Sequence, residues 1–181
     1  EFLEIFNRGP AAIDISGWRF IDGIDFVLPP GTILPAGGYL VLYADAAAFR
    51  EAHGDVPNAI GPFTRMPIAG GEPLLLVDAA GQAVDRVDYE DAPPWPVNPD
   101  GLRGSLELVD PSSDNDRAQA WRESEGFKGT PGRKNSVTAR FEAAGGGAPP
   151  QVTEVRARPA QDRERDGILS QLGRPPGGPI A

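Results

Sequence analysis

Phe2-Leu3-Glu4-Ile5-Phe6, followed at once by Asn7-Arg8-Gly9-Pro10, sets the reading of the whole chain. Leu3 and Ile5 alternate with Glu4, a period of two that turns one side of an extended segment to a core and the other to water. The residues that follow tolerate positive φ or have φ preset, so the strand must turn there. The pattern then repeats. Residues 18–21, 26–28, 39–43, 74–77, 83–89 and 105–109 read as further strands, with Leu106 and Leu108 alternating with Glu107 in the last. Between them stand Pro29-Pro30-Gly31, Pro35-Ala36-Gly37-Gly38, Ala79-Ala80-Gly81 and Asp100-Gly101, all turn chemistry. Short strands punctuated in this way predict an all-β fold, an antiparallel β-sandwich with Greek-key connections. The expected buried set includes Leu3, Ile5, Trp18, Leu40, Leu42, Leu75, Leu106 and Leu108.

With 20 Pro and 23 Gly among 181 residues, a helical bundle is disfavoured from the start. One short helix is expected near 45–53: Asp45 is a good N-cap, Ala46, Ala47 and Ala48 are strong helix formers, Phe49 would anchor it, and Gly54 would end it. The 40% apolar content suits one sizeable core. A sandwich domain is therefore expected over 1–138, then a Gly/Pro-rich linker over 139–150 that contains Gly145-Gly146-Gly147 and Pro149-Pro150. Residues 151–181 read as the truncated start of a following module, disordered or packed as an extended tail, with Val152-Thr153-Glu154-Val155 as its opening strand. The chain opens at Glu1 inside what already reads as a strand, with neither initiator Met nor signal peptide, so a piece of a longer protein is expected.

The net charge of -9 is unevenly placed. Residues 1–120 hold 7 Arg against 19 acidic residues, a balance of -12, whereas 121–181 hold 10 basic and 7 acidic residues, a balance of +3. An acidic body repels phosphate backbones, so no nucleic acid is expected as a partner. The absence of cysteine removes disulfides, thiolate zinc sites and thiol nucleophiles together. No apolar run approaches the roughly 20 residues needed to span a bilayer, so no membrane insertion is expected. Gly37-Gly38 and Gly70-Gly71 lack the helix and the Lys-Ser/Thr pair of a phosphate loop.

Catalytic material is scarce. His53 is the single histidine, expected in solvent near a helix end, so neither a Ser-His-Asp triad nor a multi-histidine metal site can be assembled. Asp22/Asp25, Asp85/Asp88 and Glu90/Asp91 are paired carboxylates, and Asp85 and Asp88 fall on opposite faces of a regular strand. The most metal-like group is Asp110, Asp114, Asn115 and Asp116, whose oxygens could ligate calcium from a loop, although the spacing is not that of an EF-hand. Asx side chains also cap their own turns, which is the competing reading. Trp95, within Pro93-Pro94-Trp95-Pro96, is a candidate ligand-binding residue able to stack on a sugar ring or a partner's proline; its alternative is to pack back onto its own domain.

Several segments, in order, resemble the bacterial-type lamin-tail domain family, which is immunoglobulin-like: Glu4-Ile5-Phe6-Asn7, Ile13-Asp14-Ile15-Ser16-Gly17-Trp18, Pro30-Gly31-Thr32-Ile33-Leu34-Pro35-Ala36-Gly37-Gly38-Tyr39-Leu40-Val41-Leu42 and Leu74-Leu75-Leu76-Val77-Asp78. The similarity continues through Val84-Asp85-Arg86-Val87-Asp88-Tyr89, Ser105-Leu106-Glu107-Leu108-Val109-Asp110-Pro111, Trp121 and Gly129-Thr130-Pro131-Gly132. The resemblance implies an immunoglobulin-like sandwich without an active site, used in bacteria as an accessory module of secreted or envelope proteins, and it assigns Trp18 and Trp121 to the core. The expected function is non-catalytic: a binding or structural module of a larger secreted or cell-surface protein, extracellular or in the cell envelope, whose partner is a protein or a neighbouring domain of the same chain. The alternative is a calcium- and carbohydrate-binding accessory domain of an extracellular hydrolase.

Overall fold

The computed structural model describes residues 1–64, 72–90, 92–96, 104–138 and 150–156. The chain runs through β1 (Phe2–Phe6), β2 (Ile13–Asp14), β3 (Arg19–Asp22), β4 (Phe26–Val27), β5 (Ile33–Leu34) and β6 (Tyr39–Tyr43). The single α-helix among the described residues, α1 (Ala46–His53), leads to β7 (Ala59–Ile60), β8 (Glu72–Val77), β9 (Ala83–Tyr89), β10 (Leu106–Leu108), a 3-10 turn at Ala118–Ala120, β11 (Trp121–Glu123) and β12 (Gln151–Arg156). One sheet has the order β11-β10-β12-β1-β6-β7 and the other β4-β3-β8-β9; β2 and β5 form a separate ribbon. Their inner faces close on one core, in which Leu3, Ile5, Leu40, Leu42 and Leu108 meet Phe20, Leu74, Leu76 and Val87. The result is an immunoglobulin-like β-sandwich.

The helix forms where its residues call for it. Asp45 accepts from the Ala48 backbone N–H, and the Gly54 N–H returns to the Arg50 carbonyl with φ at 73°. Phe49 anchors it, buried with Phe2 and Val41. The helix carries the chain across so that β7 pairs with β6 in parallel, through Val41↔Ala59 and Leu42↔Ile60, a connection that a tight hairpin cannot make. The other strand pairings among the described residues are antiparallel.

Two expectations about burial are corrected. Leu75 is half-buried while Leu74 and Leu76 are in the core. The run Leu74-Leu75-Leu76-Val77 carries no alternation, and pairing with β3 settles which leucines face inward, with a register shift between Phe20 and Asp22. Leu106 is also half-buried, while Leu108 is fully enclosed.

The segment expected to open another module lies in the middle of this one. β12 pairs antiparallel with β1 on one side, from Phe2↔Arg156 to Phe6↔Gln151, and with β10 on the other, through Leu106↔Val155 and Glu107↔Glu154. Val152 and Val155 belong to the core cluster. Asp85 on β9 accepts from the Val152 N–H at 2.8 Å, tying β12 to the opposite sheet. The first eleven strands thus leave a gap between β1 and β10, and apolar side chains together with two unpaired strand edges favour filling it. The expected linker, up to residue 149, and the tail beyond residue 156 lie outside the described residues.

Candidate functional site

The outward face of the six-stranded sheet carries a row of three buried acids. Alternation in β1 places Leu3 and Ile5 inward and Glu4 outward, and β10 treats Glu107 likewise. Glu154 on β12 stands between them, in register with Glu4 on one side and Glu107 on the other. An outward carboxylate would normally meet water. Here each of the three is 0% exposed, because residues 126–138 lie across them as a strap.

The strap supplies donors to these carboxylates. Glu154 accepts from the Ser105 hydroxyl and, at 2.9 Å, from the Thr130 N–H. Thr130 Oγ1 lies 2.7 Å from Glu107 Oε1 and 3.4 Å from Glu154 Oε2, so its one proton goes to Glu107. Ser136 Oγ and the Val137 N–H serve the other oxygen of Glu107 at 2.6 and 3.2 Å. Glu4 accepts from the Gly132 N–H at 2.7 Å and from the Thr153 hydroxyl at 3.1 Å. Glycine is required where the strap touches down. Gly129 has φ at 71°, and a Cβ there would collide with the Glu154 carboxylate and the Ser105 hydroxyl.

Electrostatics follow from burial. Desolvation holds the Glu4 carboxyl well above the ordinary range, with the Glu154 charge adding to the rise. Glu154 is pushed up to about 7, again chiefly by burial, against the pull of Ser105 and Thr130. A protonated Glu154 can donate to Thr130 Oγ1, which donates on to Glu107; hydrogen-bonded acids then run from β12 to β10 beneath the strap. Such a chain can hold a proton and fasten a loop. Each carboxylate is occupied by protein donors, and no group of three His, Cys, Asp or Glu side chains able to hold a metal ion occurs among the described residues.

At one end of the same face the helix packs its aromatic side. His53, expected in solvent, is half-buried, its ring edge-on to Phe2 at 5.3 Å and tilted against Phe49 at 4.8 Å. Its pKa is lowered to about 4, first by burial and then by the Arg156 cation.

The residues singled out for calcium are brought to separate partners. Asp110 accepts from the backbone and hydroxyl of Ser112. Asp114 pairs with Arg117 at 2.9 Å, and Asp116 accepts from the Asp88 N–H at 2.8 Å. Asn115 is buried, its amide donating to Asp85 at 3.0 Å and to the Val152 carbonyl at 3.2 Å. Trp95 is 7% exposed, its ring 6.1 Å from that of Trp121, so the indole serves the core instead of offering a face to a ligand. Trp18 and Trp121 are buried too. Asp85 faces β12 and Asp88 pairs with Arg86 in solvent at 2.8 Å, on opposite sides of the strand. Asp91, together with Gly70, Gly71, Asp100 and Gly101, lies outside the described residues.

Sequence reasoning missed the acid row because Glu4 and Glu107 occupy the outward positions of alternating strands, where a charged residue is ordinary. A usable signal was present in Gly129-Thr130-Pro131-Gly132, small and donor-bearing, and in Glu154 within the expected strand Val152-Thr153-Glu154-Val155.

A family model described as Lamin Tail Domain matches residues 1–91. No curated protein and no solved structure matches the chain.

Proposed function

Since the chain belongs to the lamin tail domain family, a family of non-enzymatic immunoglobulin-like modules, we propose that it is a non-catalytic binding or structural module of a larger secreted or cell-envelope protein, acting through exposed strand edges and loops. One observation carries this reading. On the four-stranded sheet, Val27 and Ile21 are 60% and 47% exposed on neighbouring strands, beside Arg19, which is in register with Val27. Val27 lies on β4, which among the described residues pairs with β3 through two residues in register and with Thr64 through one isolated bridge, Asp25↔Thr64. A short apolar edge of this kind suits a partner that adds a strand and seats alternate side chains. The partner is a protein or a neighbouring domain of the same chain. The balance of -12 over residues 1–120 speaks against nucleic acid. The secreted or envelope placement draws on the sequence resemblance to bacterial lamin-tail domains.

The test is a photo-crosslinking residue at position 27 in the full-length parent protein, in its own cells. A protein adduct that disappears in Ile21→Asp, with the melting temperature unchanged, supports the edge as the docking surface. No adduct at position 27, or one indifferent to Ile21→Asp, refutes it.

A further inference from the structure

The strap brings no side chain to the core. None of residues 126–138 belongs to either apolar cluster of the described residues, and its buried side chains are those of Thr130, Asn135 and Thr138. Both of its ends are pinned. At the start, the Phe127 carbonyl accepts from the Gly104 N–H at 2.9 Å and from Arg156 at 3.4 Å. At the finish, the Asn135 amide donates to the Leu108 and Thr153 carbonyls at 3.1 and 2.8 Å, and Ser136 and Val137 donate to Glu107. Residues 128–133 arch between these pins. Gly132 has φ at 80°, and the Arg133 N–H closes the turn on the Thr130 carbonyl at 3.2 Å. The arch meets the sheet chiefly at two acids, through the Thr130 N–H on Glu154 and the Gly132 N–H on Glu4; the Thr130 hydroxyl adds its bond to Glu107.

That arrangement couples the arch to protons. Glu4 and Glu154 are neighbours in register, wholly enclosed, and served by backbone and hydroxyl donors that carry no charge. Taking both protons away leaves two adjacent anions out of water, which is costly. Lifting the arch hydrates them, whereas neutral carboxyls favour no such opening. With its proton, Glu154 can also donate to Thr130 Oγ1, a bond that its ionised form cannot make. The other titratable or charged groups of this face are Tyr39 of β6, Glu107 of β10, Arg156 of β12, His53 of α1, and Lys128, Arg133 and Lys134 of the strap. Glu107 adds repulsion to both acids, and the attraction between Arg156 and Glu154 opposes it.

We propose that residues 128–133 are a proton-fastened latch: with Glu4 and Glu154 protonated the arch stays down, and loss of their protons raises the population in which it lifts and bares the acid row to water. Burial raises Glu154 from 4.5 to about 7 in the closed state and holds Glu4 high as well. The fastening is therefore complete below about pH 4.5 and is lost as pH rises through about 7. Full release of the Glu154 rise alone multiplies the open population by about 300; like charges that stay side by side on the sheet reduce that figure. The latch lies on a different sheet from Ile21 and Val27, so either assignment can fail without the other.

The test is amide hydrogen exchange of the 181-residue chain between about pH 4.5 and 8, corrected for the intrinsic pH dependence of exchange. The Thr130 and Gly132 amides should open at a smaller cost than the amides that join β1 to β6, and their opening should increase by about tenfold or more over that range. The Val137 amide, on the pinned side, should change less. Glu4→Gln and Glu154→Gln should each cut the rise by about threefold or more, since each removes one of the two linked protons. Thr130 and Gly132 amides that exchange only together with the whole sheet overturn the proposal, as does an opening indifferent to pH. Both of these are read in the parent chain, whether or not a variant folds. A rise that either substitution leaves undiminished overturns it too.

Discussion

Replacing Glu154 by Gln should stabilise this protein at neutral and alkaline pH, although Glu154 accepts hydrogen bonds in the native fold. Its carboxyl is pushed from an ordinary 4.5 up to about 7. A folded-state pKa above the unfolded value means that the folded state binds the proton more tightly. The resulting stability is complete below about pH 4.5 and is lost as pH rises through about 7. At about 1.4 kcal/mol per unit, the penalty for holding Glu154 ionised at pH 8 or above is about 3 kcal/mol. Gln keeps the acceptor for Ser105 and the Thr130 N–H, and its NH2 can donate to Thr130 Oγ1 where an ionised Glu154 brings none. The variant should therefore match the parent near pH 4 and exceed it by about 3 kcal/mol at pH 8, or about 6–12 °C in Tm for a chain of this size. Urea unfolding from pH 4 to 9, followed by the fluorescence of buried Trp121, measures both quantities. Taking the difference between variant and parent removes the contribution of His53. A variant less stable than the parent at pH 8, or one with the parent's slope between pH 5 and 8, would refute the reasoning.

Other outcomes follow from the same face. Gly129→Ala should destabilise by about 1–3 kcal/mol, because it combines a left-handed backbone position with a collision at Glu154; thermal melts would show it, and an unchanged Tm would contradict the strap's close approach. His53 should titrate near 4 in an NMR series, and since its folded value lies below the unfolded 6.5, its contribution is present above pH 6.5 and lost towards pH 4; His53→Gln should flatten acid unfolding in that window. A chain ending at residue 138 should not unfold cooperatively, having lost Val152 and Val155, worth about 3–6 kcal/mol of buried aliphatic surface. A peptide of residues 150–156 supplied in trans should restore the transition, as calorimetry can establish.

What could be read ahead of the structure was whatever repeats locally. β1, β6 and β9 begin and end where alternation and turn residues place them, and Asp45 and Gly54 bracket the helix as cap chemistry requires. Ile13–Asp14, Ile33–Leu34 and Ala59–Ile60 were not legible, since two residues are too few to show a period. β12 was misplaced for a different reason. It reads as a strand, but the Gly/Pro-rich stretch before it looks like a boundary, and its pairing with β1 joins residues about 150 positions apart. Nothing local encodes such a partner. The calcium residues show how one composition serves two ends: Asp110, Asp114, Asn115 and Asp116 have ligand oxygens, yet each bonds a neighbouring backbone or side chain. Trp95 sat in a Pro-rich loop that left display and packing onto its own domain both open, and the indole is buried, where it gains by leaving water.

The central place of β12 also governs how this protein is made. A ribosome extends the chain at about 5–20 residues per second, so several seconds separate the emergence of the first strand from that of its inner neighbour. During that interval β1 can pair with β6 but has an open edge, and the row under the strap lacks its middle acid. The nascent sheet is thus a receptor for an extended peptide before it becomes a finished domain, and the first competitor that β12 must outrun is the same segment of another copy.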